Sequence, residues 1–335
     1  MRPARPAALA ILAVTALFVS SCGSGGGAET SGAAGGASGG DGAVDYPHPV
    51  ENCGEGVTFD QAPERVVLLE TAPVTILDGL GVLNRAVARA GDFPAEYYDD
   101  DLNERIDGID SLSEDLDASG HLAISQEAVV AQSPDLVLGQ PDGVDRGSLA
   151  SAGSNLLIQE VYCPDSAMNA TYETLYDEIG TYGEIFDRGE AADELVAQLR
   201  ERVDAVADRS QGEDRTAAVL YPTVGGGTTY AYGNRSMAQP QLEMAGFENV
   251  YDDVDERVFD VQIEDLVDRD PDVLILLYQG EAEGVEQAVT ELPGAETITA
   301  VRNGDIHTQL FNFTEPATPL AVDGLERISE RFQGD

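Results

Sequence analysis

The sequence predicts an α/β protein of two Rossmann-like lobes, each with a mainly parallel sheet, joined by one long rigid helix. Three observations carry this. ISQEAVVAQSPDLVLG, beginning at Ile124, returns as VQIEDLVDRDPDVLIL, beginning at Val261. In both copies a Glu (Glu127, Glu264) stands ahead of a Pro-Asp pair (Pro134-Asp135, Pro271-Asp272), and an apolar run follows. Between the copies lies a long amphipathic segment. Around each copy, apolar strand-like runs alternate with helical periodicity, the pattern of a parallel sheet with crossover helices.

The elements follow in order. Folded sequence starts near Tyr46. ERVVLLE (64–70) reads as a buried strand. In TAPVTILDGLGV, Pro73 can take the first helical position, Val74, Ile76, Leu77 and Leu80 form an apolar stripe, and Gly81 can end the helix. AVARA (86–90) is a second short strand, and GDFPAEYYDDD a loop. The first repeat adds a helix (125–132) and a strand (135–138), and NLLIQEVYC (155–163) a further strand region. Residues 171–186 and 187–209 are helical; Ala191, Leu195, Leu199, Val203 and Val206 recur at three or four residues, with Asp187 as N-cap. The second helix spans roughly 30 Å at 1.5 Å per residue. RTAAVLYPT (215–223) opens the second lobe as a strand, GGGTTYAYGNRS (225–236) is a loop, and MAQPQLEMAG a short helix ending at Gly246. After the second repeat, 304–312 form a late strand and 319–332 a closing helix. The predicted lobes are residues 46–186 and 210–335, with 187–209 joining them.

The first residues are different. MRPARPAALAILAVTALFVSSC (1–22) has Arg2 and Arg5 ahead of an apolar run too short to span a membrane, the form of an export signal. Val19-Ser20-Ser21-Cys22 resembles a lipobox, in which the chain is cut before a cysteine that receives diacylglycerol; the alternative is an ordinary signal with an incidental cysteine. Residues 23–45 are rich in Gly, Ala and Ser and read as a flexible tether. The expectation is a protein lipid-anchored at Cys22 to the outer face of the cell membrane. In an exported chain the remaining pair, Cys53 and Cys163, is expected to form a disulfide, two free buried thiols being the alternative.

Formal net charge is −44, with 62 acidic residues against 18 basic ones, all of them Arg. This excludes nucleic acid as a partner, because a phosphate backbone requires a basic footprint. The acids are dispersed, as on a strongly solvated surface suited to high salt. The absence of Lys excludes a P-loop lysine, a Schiff-base lysine and a Ser-Lys dyad. GGGTTY is not continued as a nucleotide-binding motif, and no Gly-x-Ser-x-Gly elbow occurs in the folded part, so an enzyme is not expected.

In parallel α/β lobes, ligands meet the loops after the C-terminal ends of the strands. Those loops carry Glu70 and Thr71, Phe93, Tyr97 and Tyr98, Gln140, Tyr230, Tyr232 and Arg235, Tyr278, and Phe311, Phe313 and Glu315. Aromatic rings there can stack on a large planar or apolar ligand, and Arg235 can pair with an anionic group. Arg89 and Arg146 are weaker candidates for that role, a surface ion pair being the alternative for each. Of the three histidines, His48, His121 and His307, only His121 lies in a suitable loop, so no protein-bound metal and no cofactor are expected.

APERVVLL, the Gly-Val after the first helix, both repeat copies, the long helix, GNRSMAQPQLEMAGFENVY and ITAVRNGDIHT occur in an order that resembles bacterial ABC-importer substrate-binding lipoproteins of the ferric siderophore, haem and cobalamin branch. NCGEGVTFDQAPERVVLL is also similar to actinobacterial members. The resemblance implies a monomer whose lobes capture an iron chelate, most often a ferric siderophore, and deliver it to a permease driven by a cytoplasmic ATPase. Cobalamin or haem is the alternative cargo, followed by direct zinc or manganese binding. Two departures stand out. Where the family often has one permease-contacting Glu per lobe, this chain has Thr75 and Pro240, with Asp78 and Glu243 one turn further on as substitutes. It also has no Trp, so Tyr and Phe must supply the flat surfaces.

Overall fold

Two sheets stand side by side, each followed by loops that open toward the other, in a computed structural model that describes residues 44–114, 122–163, 169–210 and 215–333. The leader, Cys22 and the tether as far as residue 43 lie outside the described residues, as does His121. The described residues belong to one compact unit.

The chain enters through an antiparallel hairpin, β1 (His48–Asn52) and β2 (Glu55–Phe59). The first sheet contains β3 (Val66–Leu68), β4 (Ala86–Ala90), β5 (Ser111–Ser113), β6 (Leu136–Leu138) and β7 (Asn155–Leu157). Its order is β5-β4-β3-β6-β7 and all its pairs are parallel. The direction of winding reverses between β3 and β6, which opens a crevice at their carboxyl ends. The second sheet contains β8 (Arg215–Tyr221), β9 (Thr229–Tyr232), β10 (Phe247–Asn249), β11 (Val258–Val261), β12 (Val273–Tyr278) and β13 (Ile306–Leu310). Its order is β11-β9-β8-β12-β13, with β10 also on β8. The β8, β10, β12 and β13 pairings are parallel, whereas β9 and β11 are antiparallel.

The repeated Pro-Asp has a structural reason. The Asp135 carboxylate accepts the backbone N–H groups of Glu64 (2.8 Å) and Arg65 (2.9 Å) at the entry to β3. The Asp272 carboxylate accepts the N–H (3.0 Å) and hydroxyl (3.2 Å) of Thr216 near the start of β8. In each lobe the aspartate that opens one strand fixes the start of its neighbour, so the register of the central pair is set by a charge-assisted clamp.

The long helix, Gly189–Arg209, buries Ala192, Leu199, Val203 and Val206. It packs against helices of both lobes: Val74–Gly79 and Tyr172–Phe186 on one side, Ala238–Met244 and the closing helix Pro319–Gln333 on the other. One apolar core therefore runs from Val66 and Leu68 of β3 through Leu199 and Val203 to Val219 of β8 and Ile275 of β12. Arg202 secures the helix to the closing helix through Asp323 (2.5 Å) and Glu326 (2.6 Å).

Three local expectations are corrected. Asp187 ends the preceding helix in the left-handed conformation (φ 54°) and does not cap the next one, whose N-cap is Arg188. Its carboxylate instead accepts the N–H of Val44 at 3.0 Å. The stretch 91–101 is not all loop: Asp99 caps a helix at Asp100–Asp107. The Gly-rich stretch 225–236 contains β9, whose Tyr230 pairs in register with Tyr221 of β8.

Cys53 and Cys163 are joined as a disulfide across 110 residues of sequence. Asn52, beside Cys53, donates to the carbonyl of Ile158 (2.8 Å) and accepts its N–H (3.0 Å). The hairpin thus ties down segment 158–163 after β7. Reduction, or the Cys53→Ser/Cys163→Ser pair, is expected to lower unfolding stability by about 2–5 kcal/mol, read as a lower urea midpoint. A midpoint unchanged by reductant would remove this role.

Candidate functional site

The carboxyl ends of both sheets meet at one cavity of about 630 Å³, within the usual range for small-molecule sites. From the first lobe it is lined by Leu69 to Ala72 after β3, Gly91 and Asp92 after β4, Gln140 to Asp142 after β6, and Ile158 and Tyr162 after β7. From the second it is lined by Tyr221 at the end of β8, Gln279 and Gly280 after β12, and Phe311 and Asn312 after β13. Every one of these positions lies at or after a strand's carboxyl end or in the loop beyond it, where a parallel sheet presents loops to a ligand.

The two walls are held at a fixed spacing. The Tyr97 hydroxyl accepts the N–H of Asn312 at 2.9 Å, a hydrogen bond from one lobe to the other. The Tyr97 ring meets Phe313 edge-on at 5.1 Å, and both join Leu310 and Leu320 in a small apolar cluster flanked by Tyr98 and Tyr278. The second wall rests on a buried polar chain. Gln241 donates to the carbonyls of Phe313 (2.7 Å) and Ala321 (2.8 Å) and accepts the Thr314 hydroxyl (2.9 Å), which accepts Gln309 (2.7 Å). Gly324 is required there, because a Cβ on it would lie 1.8 Å from the Phe313 carbonyl oxygen.

Several of the predicted ligand residues converge and others do not. Thr71 and Gln140 line the cavity. The Tyr98 hydroxyl is hydrogen-bonded to Thr71 and braces it from behind. Tyr97, Phe313 and Tyr278 belong to the packing between the lobes. Phe93 lies under the Arg89 guanidinium, 5.1 Å from its ring centre. Tyr232 is buried, while Tyr230 is 39% exposed and outside the lining. Arg235 forms a two-pronged ion pair with Asp255, 2.6 Å for each bond, away from the cavity. Arg146 donates to Asn52 at 2.8 Å beside the hairpin. The docking candidates differ: Asp78 is paired with Arg105, whereas Glu243 is exposed and accepts from Gln239 at 2.8 Å. His48 contacts Glu184 at 3.3 Å, and His307 lies in β13 with its ring nitrogen 3.3 Å from Gln309.

Residues that the sequence reading passed over include Tyr162, Tyr221, Gln279, Asn312 and Arg257. Tyr162 is 37% exposed, with its ring 5.8 Å from the Arg257 guanidinium. Arg257 in turn contacts the fully buried Glu315 at 3.3 Å. Tyr221 and Gln279 occupy or directly follow the ends of buried strands, a signal the sequence did contain. Tyr162 lies in the segment 155–163 that reads as a strand, which hides its loop position, and Arg257 comes from a stretch with no periodic pattern.

The cleft is electrostatically uneven. Burial pushes the Glu70 carboxyl up to about 7. Burial, then the charges of Glu70 and Glu160, push Glu178 up to about 8. Although part of its ring is exposed, enclosure between the cleft walls, reinforced by Glu70 and Glu315, raises the Tyr162 phenol above its ordinary value, so it remains a hydrogen-bond donor.

This architecture, two α/β lobes backed by a common helix with a cavity between their loops, defines a solute-binding protein. The chain belongs to the periplasmic binding protein family, which it matches over residues 66–309. The family consists of solute-binding proteins. A crystal structure from Saccharomonospora viridis, described as an ABC-type Fe3+-hydroxamate transport system, is 57% identical with a TM-score of 0.81, covering 86% of this chain and 99% of that one. A periplasmic heme-binding protein from Roseiflexus shares the fold (19% identical, TM-score 0.63, covering 81% of this chain and 98% of that one). A cobalamin-binding protein of Halobacterium salinarum is 24% identical over 283 residues, 82% of this chain and 71% of its own length.

The raised carboxyls predict a pH dependence. Unfolded, both glutamates titrate near 4.5; folded, near 7 and 8. The folded state therefore keeps protons that the unfolded state releases. The stability this supplies is complete below about pH 4.5 and is lost as pH rises through about 7 to 8. Glu178→Gln, which cannot ionise, should raise the melting temperature more at pH 8 than at pH 5. An equal change at both pH values would contradict these shifts.

Proposed function

We propose that the protein captures a ferric hydroxamate chelate in the cleft between its lobes and delivers it to the permease of an ABC importer. The observation that carries this is the 57% identity, across 99% of its length, to the protein described as an Fe3+-hydroxamate transport system. The cavity supports it: about 630 Å³ suits a compact iron complex, and Tyr162, Tyr221 and Phe311 offer apolar faces while Thr71, Gln140, Gln279 and Asn312 offer hydrogen bonds. Cobalamin is the second reading, favoured by the Halobacterium relative. The role is capture and release of an unchanged ligand, with no resident cofactor.

In this reading the chain is exported by its first 22 residues and held at the outer face of the membrane through lipid on Cys22. Among the described residues no helix is long and apolar enough to cross a membrane. Glu243 and the neighbourhood of Asp78 face the permease, the Asp78–Arg105 pair opening to release the carboxylate.

Thermal melting with ferric hydroxamates, ferric catecholates, haem and cobalamin tests the ligand. A ligand at 100 times its Kd stabilises by about 2.7 kcal/mol. The expected result is a raised melting temperature with a ferric hydroxamate and none with its iron-free form. A rise with cobalamin alone would select the second reading. For the anchor, Cys22→Ser should shift the protein from the membrane fraction to the medium; membrane retention of that variant would exclude lipid at Cys22.

A further inference from the structure

We propose that the cleft selects among ferric chelates by charge: it favours a chelate with a neutral iron core and a cationic arm, and Glu70 is the residue that reads the arm. This rests on the cleft being the chelate site. Among the described residues the lining carries three carboxyl groups, those of Glu70, Asp92 and Asp142. No Arg or His is among the described lining residues, and the chain contains no Lys. Of the guanidiniums near the cleft, Arg257 is matched by the buried Glu315, and Arg89 lies over Phe93 with its Nε buried and, among the described residues, without a hydrogen-bond partner.

Glu70 differs from the two aspartates, which are exposed. It is half-buried against the cavity floor, and among the described residues its carboxylate has no hydrogen bond or ion pair. The fold makes room for it: Gly139, at φ +93°, would place any Cβ 2.9 Å from the Glu70 side chain. An unpaired carboxylate in such a place costs free energy that a bound cation would offset. An anionic ligand would instead meet like charge, which is how a binding site rejects a competitor.

Chelate chemistry supplies the distinction. Hydroxamates are monoanions that together just neutralise ferric iron. Catecholates are dianions that leave the complex strongly negative. A hydroxamate chelate ending in a protonated amine presents a neutral core and a cationic arm; acetylating the amine removes the charge and leaves the core intact.

Calorimetric titration of the purified protein tests this with three probes: ferrioxamine B, which has a free terminal amine, its N-acetyl derivative, and the tris-catecholate ferric enterobactin. The expected result is ferrioxamine B binding about tenfold or more tightly than its acetylated form, a difference of about 1.4 kcal/mol or more, with enterobactin weakest. Glu70→Gln should reduce the ratio of the two ferrioxamines to within about twofold. Equal affinity of wild type for the two, or tightest binding of the catecholate, would overturn the charge selection while leaving the ferric-chelate reading intact. A ratio that survives Glu70→Gln would overturn the assignment to Glu70. If Glu70→Gln fails to fold, the two ferrioxamines on wild type still decide the selection. No binding of any of the three would overturn the chelate reading, and this inference with it.

Discussion

The structure depends on one constraint: both sheets are held from behind by the same helix. Gly189–Arg209 is a shared wall of one continuous core that reaches from β3 to β12. Its contacts are close. A Cβ on Gly79 would come within 2.6 Å of Leu195, and one on Gly183 within 2.6 Å of Ala192. Such packing leaves little room for sliding. The lobes therefore cannot part widely without opening the core, and a ligand entering the cleft meets walls already spaced. Binding to a preformed cavity loses less conformational entropy than binding that must order its site.

On the open side the spacing is maintained by a few polar contacts, and these must be complete to be stabilising. The segment from Phe311 to Glu315 is almost entirely buried, and its polar groups are accounted for. Gln241 holds the Phe313 carbonyl, Gln309 and Thr314 hold each other, Asn312 donates to the Glu315 carbonyl at 3.1 Å, and the Glu315 carboxylate accepts the Met237 N–H at 2.8 Å. Low surrounding polarity strengthens a satisfied chain of this kind and would penalise an incomplete one. The chain delivers Phe311 and Asn312 to the cavity, and Asn312 to Tyr97 across the cleft. Rigidity of the second wall thus comes from side chains that touch no ligand.

The fold was legible where a pattern had to repeat. Two lobes need two sheets with parallel central strands, and the Pro-Asp before β6 and β12 appears twice because each sheet needs the same clamp on its first strand. β9 was hidden because Thr229–Tyr232 sits in Gly-rich sequence and takes its strand form from pairing with β8 and β11, which local propensity does not report. The site was legible as a set of loops and less so as a set of residues. Aromatics after strands were expected to face a ligand, and Thr71 with its neighbours does line the cavity. Tyr97 and Phe313, however, pack between the lobes. A ring buried on both sides serves the interface as well as it would serve a ligand, and sequence alone does not distinguish the two uses. Tyr162 and Arg257 reach the cleft only through tertiary placement, the first beside the disulfide that fixes its segment.

The acidity of the chain acquires a more specific meaning once the arginines are traced. Several bridge elements: Arg200 joins Glu173 at 2.6 Å, Arg202 joins the closing helix, Arg215 joins Asp305 at 3.0 Å, and Arg269 joins Asp253 at 2.6 Å. Much of the positive charge is thus spent on holding the fold, and the excess acid is left to solvent and to the cleft. On the open surface that excess is screened within about 8–10 Å at ordinary ionic strength. In the cleft, the half-buried Glu70 is screened less than the exposed acids of the open surface. A few carboxylates at the strand ends therefore determine how the site distinguishes ligands, although they are a small fraction of the acids in the chain.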